Sequence, residues 1–268
     1  MLKTRILTAL VLLPLMLAAL FVFPADAWAA FSWLIILLAL WEYARMTPLR
    51  GMAKWGYLAL STAFAGVSWW QGWHMPAVAH VLALVFWLLV MPLWLARRWT
   101  VKSSGVAAVL GWVLMLPAWY GFLEWRPQAD ASHALTLLAV MGLVWVADVA
   151  AYFSGKAFGK RKLAPSISPG KSWEGVYGAL VGVAVYVVIV SRLGWISVGL
   201  PVWALVLLAL PLTAVSVCGD LLESWFKRAS GIKDSSKLLP GHGGVYDRID
   251  SLIAVLAVSN ALRVLGGL

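Results

Sequence analysis

Apolar runs close to a bilayer in length, separated by short polar breaks, recur along this chain. A hydrocarbon core of ~30 Å needs about 20 such residues in a helix. Nine runs predict spanning helices: Ile6–Phe23, Trp28–Tyr43, Trp55–Trp70, Val78–Leu95, Val106–Phe122, His133–Phe153, Val176–Leu193, Val202–Asp220 and Leu252–Val264. The second, third and last are short. Pro14, Pro92, Pro117 and Pro211 fall within runs, where each predicts a kink whose freed carbonyl finds another partner. No repeat or low-complexity tract interrupts the pattern. It predicts an all-α polytopic integral membrane protein forming one transmembrane domain over residues 1–268. Its N-terminal helices occupy residues 1–104, and the helices and loops that carry chemistry occupy residues 105–268.

Composition agrees: apolar residues make up 63% of the chain, against ~45–50% in soluble domains. The net charge of +10 would suit nucleic acid in a soluble protein. In a membrane protein, cations set orientation and attract anionic lipid, so nucleic acid is not an expected partner. With the N-terminus cytoplasmic, nine crossings place all of the 21 Lys and Arg on one side except Arg126, Arg192 and Arg263. That side includes Lys3, Arg5, Arg45, Arg50 and Lys54. Such asymmetry is what the positive-inside rule requires, and it puts the polar loops of the second half in the cytoplasm. Many of the 18 tryptophans, among them Trp28, Trp55, Trp73, Trp99, Trp125 and Trp195, lie near run ends and suggest interfacial belts. The single cysteine, Cys218, excludes an internal disulfide. Residues 1–23 imitate a secretory signal, with Ala25–Ala27 or Ala27–Ala29 as cleavage sites, but the run is long enough to span.

The carboxylates divide by position. Asp26, Glu124 and Asp130 fall in outer loops and are expected to be solvated. Glu42, near Arg45 and Arg50, suggests a surface ion pair worth under ~1 kcal/mol. The other seven, Asp148, Glu174, Asp220, Glu223, Asp234, Asp247 and Asp250, gather at or near one face in the second half.

Three segments carry them. In Trp145–Gly159, an aspartate inside an apolar helix is by default a functional hypothesis. Tyr152 shares its face, and Gly155 and Gly159 continue the stripe with bare backbone. The alternative is a buried Asp–Tyr or Asp–Arg pair that joins helices. In Leu163–Gly175, Ser168-Pro-Gly-Lys-Ser172 leads into a helix, so backbone N–H groups, Lys171 and Ser172 converge where phosphate binds readily. Gly170-Lys-Ser172 ends like a Walker A loop, but the glycine spacing and the preceding strand are missing. The third segment, Ser224–Asp250, is the longest polar run. It combines Lys227, Arg228, Lys233, Lys237 and Arg248 with Asp234, Asp247, Asp250 and the turn Pro240-Gly-His-Gly-Gly244. Cys218-Gly-Asp-Leu-Leu-Glu223 precedes it, with Asp220 and Glu223 on one helix face. Carboxylates meeting from two helix ends beside lysines suit a hard cation and nucleotide phosphates. Zinc lacks a Cys/His cluster.

The third segment resembles the signature of the phosphatidate cytidylyltransferase (CDP-diacylglycerol synthase) family: Ser, Lys-Arg, Lys-Asp, then Pro-x-His-Gly-Gly-x-x-Asp-Arg-x-Asp. The elements around Asp148 and Ser168–Gly175 are similar to the family's Asp-x-x-Ala-Tyr and Ser-Pro-x-Lys-[Ser/Thr]-x-[Glu/Gln]-Gly, with Val149 where family members often have a hydroxyl residue. Over the first hundred residues the likeness rests on hydropathy. The resemblance implies a bacterial cytoplasmic (inner) membrane enzyme with a retained first helix. It would transfer the cytidylyl group of CTP to phosphatidate, giving CDP-diacylglycerol and pyrophosphate. Asp148, Asp220, Lys233 and Asp247 are the expected catalytic residues. Asp220 and Asp247 would hold Mg²⁺, alone or with a second cation. Tyr152, Lys171, Ser172, Glu174, Lys227, Arg228, Lys237, His242, Gly243, Gly244 and Arg248 would bind substrate. The expected partners are CTP, phosphatidate and membrane lipid, with a homodimer left open. The alternatives are a CTP-dependent polyprenol or diacylglycerol kinase, which would release CDP, and a transporter, whose charges should instead lie near the bilayer midplane.

Overall fold

The computed structural model describes residues 2–268, with side chains from Leu7 onward except Ala9. The side chains of Lys3 and Arg5, assigned above to the cation-rich side, lie outside the described residues. The helices are α1 (Leu2–Val22), α2 (Ala25–Arg45), α3 (Gly51–Trp70), α4 (Ala77–Val85), α5 (Met91–Arg97), α6 (Ser104–Trp125), α7 (Ala131–Phe158), α8 (Trp173–Arg192), α9 (Val202–Ala229) and α10 (Tyr246–Leu265). A π-turn, Phe86–Val90, joins α4 to α5, so the two run on as one column. It sits immediately before Pro92, where a widened turn accommodates a residue that lacks an N–H. Pro14, Pro117 and Pro211 lie inside helices that continue past them.

Each predicted run falls on one of these helices or on the α4–α5 column. Among the described residues, six helical columns are long and apolar enough to cross a membrane: α2, α4–α5, α6, α7, α8 and α9. Two short strands accompany the helices. β1 (Lys162–Ala164) and β2 (Ser168–Ser172) form a small antiparallel hairpin between α7 and α8. The strand thought missing before Lys171 is thus present, as a short hairpin edge. The Walker A reading still fails on glycine spacing.

Helix α10 is the centre of the bundle, with Ser251 through Ala261 buried, packed by α6, α9 and α4. It is not among the six because charged residues, Asp247, Arg248, Asp250 and Arg263, sit at its two ends. Small residues serve a central position by letting neighbours approach. Gly219 of α9 shows how closely: a Cβ there would lie 2.7 Å from the Asp250 carbonyl. Along the α7–α8 seam, a Cβ on Gly182 would lie 2.7 Å from that of Ala150.

The two ends of the bundle differ. At one end, Arg45 Nη1 donates to Ser235 O (3.1 Å), Ser104 to Pro48 O (3.2 Å), Trp225 Nε1 to Trp99 O (2.7 Å) and Arg228 Nε to Ile167 O (3.3 Å). The cation-rich loops therefore share that end. At the other end, Arg126 is buried and donates to the carbonyls of Leu20 (2.7 Å) and Phe23 (2.5 Å) while stacking on Trp28.

Two expectations about this second end are corrected. Glu124 is not solvated. Only 8% of its side chain is exposed, and it accepts from Asn260 Nδ2 (2.7 Å) and Met75 N (3.2 Å). Trp28 and Trp125 are buried, with ring N–H groups directed to Phe122 O and Ser259 Oγ. Trp55, Trp73 and Trp99 are exposed, as belt residues should be.

Candidate active site

A cavity of about 480 Å³ opens at the cation-rich end between α7, the β-hairpin, α8 and α9. Helix α7 presents Asp148, Tyr152, Gly155 and Lys156 to it at helical spacing, the hairpin presents Lys171 and Ser172, and α9 presents Asp220. Lys171 Nζ lies 2.5 Å from Asp220 Oδ2, and Ser224 Oγ donates to Asp220 Oδ1 at 3.2 Å. Side chains there are about a quarter to a third exposed (24% for Lys171, 31% for Asp220). The pair is therefore wet enough to exchange partners. Ser172 is buried and caps α8, its hydroxyl accepting from Gly175 N at 3.2 Å. Gly155 and Gly159 are the bare backbone against which it fits: a Cβ at Gly159 would lie 2.9 Å from Ser172 Oγ.

A second cluster lies where α9 meets the polar loop. Lys227 sits between the carboxylates of Glu223, on the preceding turn, and Asp247, at 2.6 Å. Asp247 Oδ2 also accepts from Ser235 N (2.9 Å), Ser235 Oγ (2.8 Å) and Gly244 N (2.8 Å). Burial pushes the Asp247 carboxyl up, but Lys227 and the hydrogen bonds outweigh it and hold the group down at about 2. The loop closes on itself through His242 N to Leu239 O (2.8 Å) and Arg248 Nε to His242 O (2.9 Å). Gly243 has φ +85°, a conformation that favours glycine.

The expected site residues thus fall into groups. Asp148, Tyr152, Lys171, Ser172 and Asp220 share the cavity. Lys227, His242, Gly243, Gly244, Asp247 and Arg248 belong to the loop and its anchor. Lys233 and Lys237 are exposed on that loop. Glu174 closes the hairpin, accepting from Arg161 Nε (3.0 Å), Lys160 N (3.1 Å) and Arg161 N (3.2 Å). Arg228 ties α9 to the hairpin through Ile167. Lys156 is an addition: it lines the cavity four residues on from Tyr152, so helical spacing could have found it.

Glu42 is the larger correction. It is fully buried, and it receives Ser235, Ser236, Val245 and Tyr246 rather than a surface arginine. No signal within its own segment announces partners so distant in the chain.

Whether these residues fit a hard cation turns on their oxygens. Asp220 fits: its carboxylate faces the cavity, and an ammonium that a cation can replace occupies Oδ2. Asp247 could offer only Oδ1, since three donors fill Oδ2, and a cation there would have to displace Lys227 Nζ, which holds Oδ1 at 2.6 Å. Among the described residues no group of three or more His, Cys, Asp or Glu side chains forms a metal cage. Mg²⁺ characteristically takes one or two carboxylates and completes its shell with water and substrate phosphate oxygens.

A bundle of apolar helices with ammonium and carboxylate groups in a cavity at one end defines the class, an integral membrane protein with a charged cavity. The chain belongs to the cytidylyltransferase family, whose profile matches residues 3–265. It is 46% identical to the phosphatidate cytidylyltransferase of Pseudomonas aeruginosa over 98% of this chain and 97% of that protein. The corresponding protein of Haemophilus influenzae is 37% identical, with 96% of each chain covered. That of Brucella suis is 46% identical across 46% of this chain and 44% of its own.

Proposed function

We propose that this chain transfers the cytidylyl group of CTP to phosphatidate, releasing CDP-diacylglycerol and pyrophosphate. The observation that carries the reading is the Lys171–Asp220 pair in a cavity at the cation-rich end of a membrane bundle. Full-length similarity to proteins named for this activity supports it. The phosphatidate phosphate, with a second pKa near ~6, is largely dianionic at neutral pH. One of its oxygens attacks the α-phosphorus of CTP. The bond from that phosphorus to the β-phosphate oxygen breaks, and pyrophosphate leaves with the electron pair. No proton need be abstracted, in keeping with a site that relies on charges rather than on a strong base.

The obstacle is bringing two polyanions together, which positioned cations overcome. Lys171 and the loop cations Lys233, Lys237 and Arg248 hold phosphates, together with Ser172, His242 and the backbone at Gly243 and Gly244. Asp148 orients substrate from the cavity wall. Lys227, Arg228 and Glu174 keep the loop and hairpin in place around it. Asp220 and Asp247 would hold Mg²⁺, which when bound neutralises phosphate charge. The lipid tails remain in the bilayer. In this reading the chain crosses a bacterial inner membrane nine times with a cytoplasmic N-terminus and the cavity faces the cytoplasm, a topology supported by the gathering of cation-rich loops at one end.

The test is to incubate purified protein with phosphatidate, Mg²⁺ and each nucleoside triphosphate in turn. CTP-dependent release of pyrophosphate with formation of CDP-diacylglycerol is expected. Release of CDP with phosphorylation of an added lipid alcohol would identify a kinase instead.

A further inference from the structure

The geometry points to Glu42 as the residue that positions the polar loop, an assignment resting on the reading that this loop takes part in the reaction. Glu42 is at the end of α2, yet its four bonding partners are 193 to 204 residues away in sequence. Oε1 accepts from Ser236 Oγ (2.5 Å) and Val245 N (3.0 Å). Oε2 accepts from Ser235 Oγ (3.0 Å) and Tyr246 N (2.6 Å). Both ends of the loop segment Ser235–Tyr246 are therefore fixed to one carboxylate. The two backbone donors lie at the start of α10, where N–H groups have no partner within the helix and a negative charge is favoured.

The fit is specific to a carboxylate at this place. Four donors converge on it, and an ionised carboxylate is acceptor-only. A glutamine presents one acceptor oxygen, so its NH₂ group would confront a backbone N–H. Gly244 leaves the room: a Cβ there would lie 2.4 Å from Glu42 Oε1 and 2.0 Å from Ser235 Oγ. Ser235 Oγ also reaches Asp247 Oδ2 at 2.8 Å. Its single hydroxyl proton serves one carboxylate at a time, and this couples Glu42 to Asp247. Glu42 itself does not touch the cavity, so it acts through the loop.

The experiment compares Glu42→Gln and Ser236→Ala with the full-length parent, measuring steady-state turnover of CTP and phosphatidate beside amide hydrogen exchange. Glu42→Gln should lower kcat/KM for CTP at least thirtyfold and speed exchange in residues 233–247, with exchange in α7 and α8 unchanged. Ser236→Ala removes one donor and should lose three- to tenfold, again with faster exchange confined to the loop. The double variant should lose less than the product of the two single losses, because both substitutions act on the same contact. Should Glu42→Gln fail to accumulate, Ser236→Ala carries the test. Exchange in 233–247 that stays at the parent rate overturns the assignment, as does accelerated exchange with turnover within twofold of the parent. Exchange that rises equally throughout the bundle shows general loosening and overturns it too. A parent protein that does not convert CTP and phosphatidate at all would instead defeat the functional reading.

Discussion

Lys171 and Asp220, contributed by the β-hairpin and by α9, meet at 2.5 Å across the cavity. The pairing joins a cation expected to touch phosphate to a carboxylate expected to touch metal. Each neutralises the other's charge in the cavity.

Replacing Lys171 separates a phosphate site from a merely basic loop. A solvated lysine contributes about 1 kcal/mol of attraction to anionic lipid, whereas a charge-assisted bond to phosphate is worth ~1.5–3 kcal/mol. Lys171→Gln should therefore lower kcat/KM for CTP at least tenfold in neutral detergent. Lys54→Gln and Lys102→Gln, at the same end but outside the cavity, should lose less than threefold. Equal losses in all three would make Lys171 a topology signal only.

The two candidate metal carboxylates should differ in how their loss affects stability. Asp220 faces the cavity, so Asp220→Asn is expected to abolish turnover with a nearly unchanged melting temperature. Asp247 anchors a largely buried lysine and three loop donors. Removing one partner of a buried pair costs about 3–5 kcal/mol. Asp247→Asn should thus lose turnover and also melt several degrees lower. Activity of both variants close to the parent at limiting Mg²⁺ would remove them from the metal site.

Gly244→Ala tests the packing around the loop. Its new methyl would meet Ser235 Oγ at 2.0 Å and Glu42 Oε1 at 2.4 Å. Overpacking typically costs ~1–3 kcal/mol, and here it would act on the loop directly. Turnover should fall at least tenfold, while Gly170→Ala, which meets nothing within 4 Å, keeps stability unchanged. A Gly244→Ala enzyme with parental kinetics would show that the loop shifts freely.

Orientation can be read by thiol labelling in a Cys218→Ala background. Cysteines at Lys102 and Lys160, both exposed at the cation-rich end, should react with an impermeant reagent only from the cytoplasm. A cysteine at His74, whose side chain is 86% exposed, should react only from outside. Labelling of Lys160→Cys in intact cells would overturn the nine-crossing topology.

Residue order alone was enough to locate the helices, because an apolar run of bilayer length is a local property that solvent and lipid read directly. It also located the polar segments around Asp148, Lys171 and Asp247, since clustered charge and glycine stand out in an apolar chain. Partnership was decided only by the tertiary structure. Glu42 looked like a surface acid because its neighbours in sequence are arginines, whereas its partners come from the other end of the chain. Glu124 and Trp125, near a run end, gave no hint of burial against α10. That burial depends on which helices surround α10, whose small and polar residues are those of a helix packed by protein. Which charges meet is set by which helix ends the bundle brings together, and packing between distant segments leaves no periodic trace in any one of them.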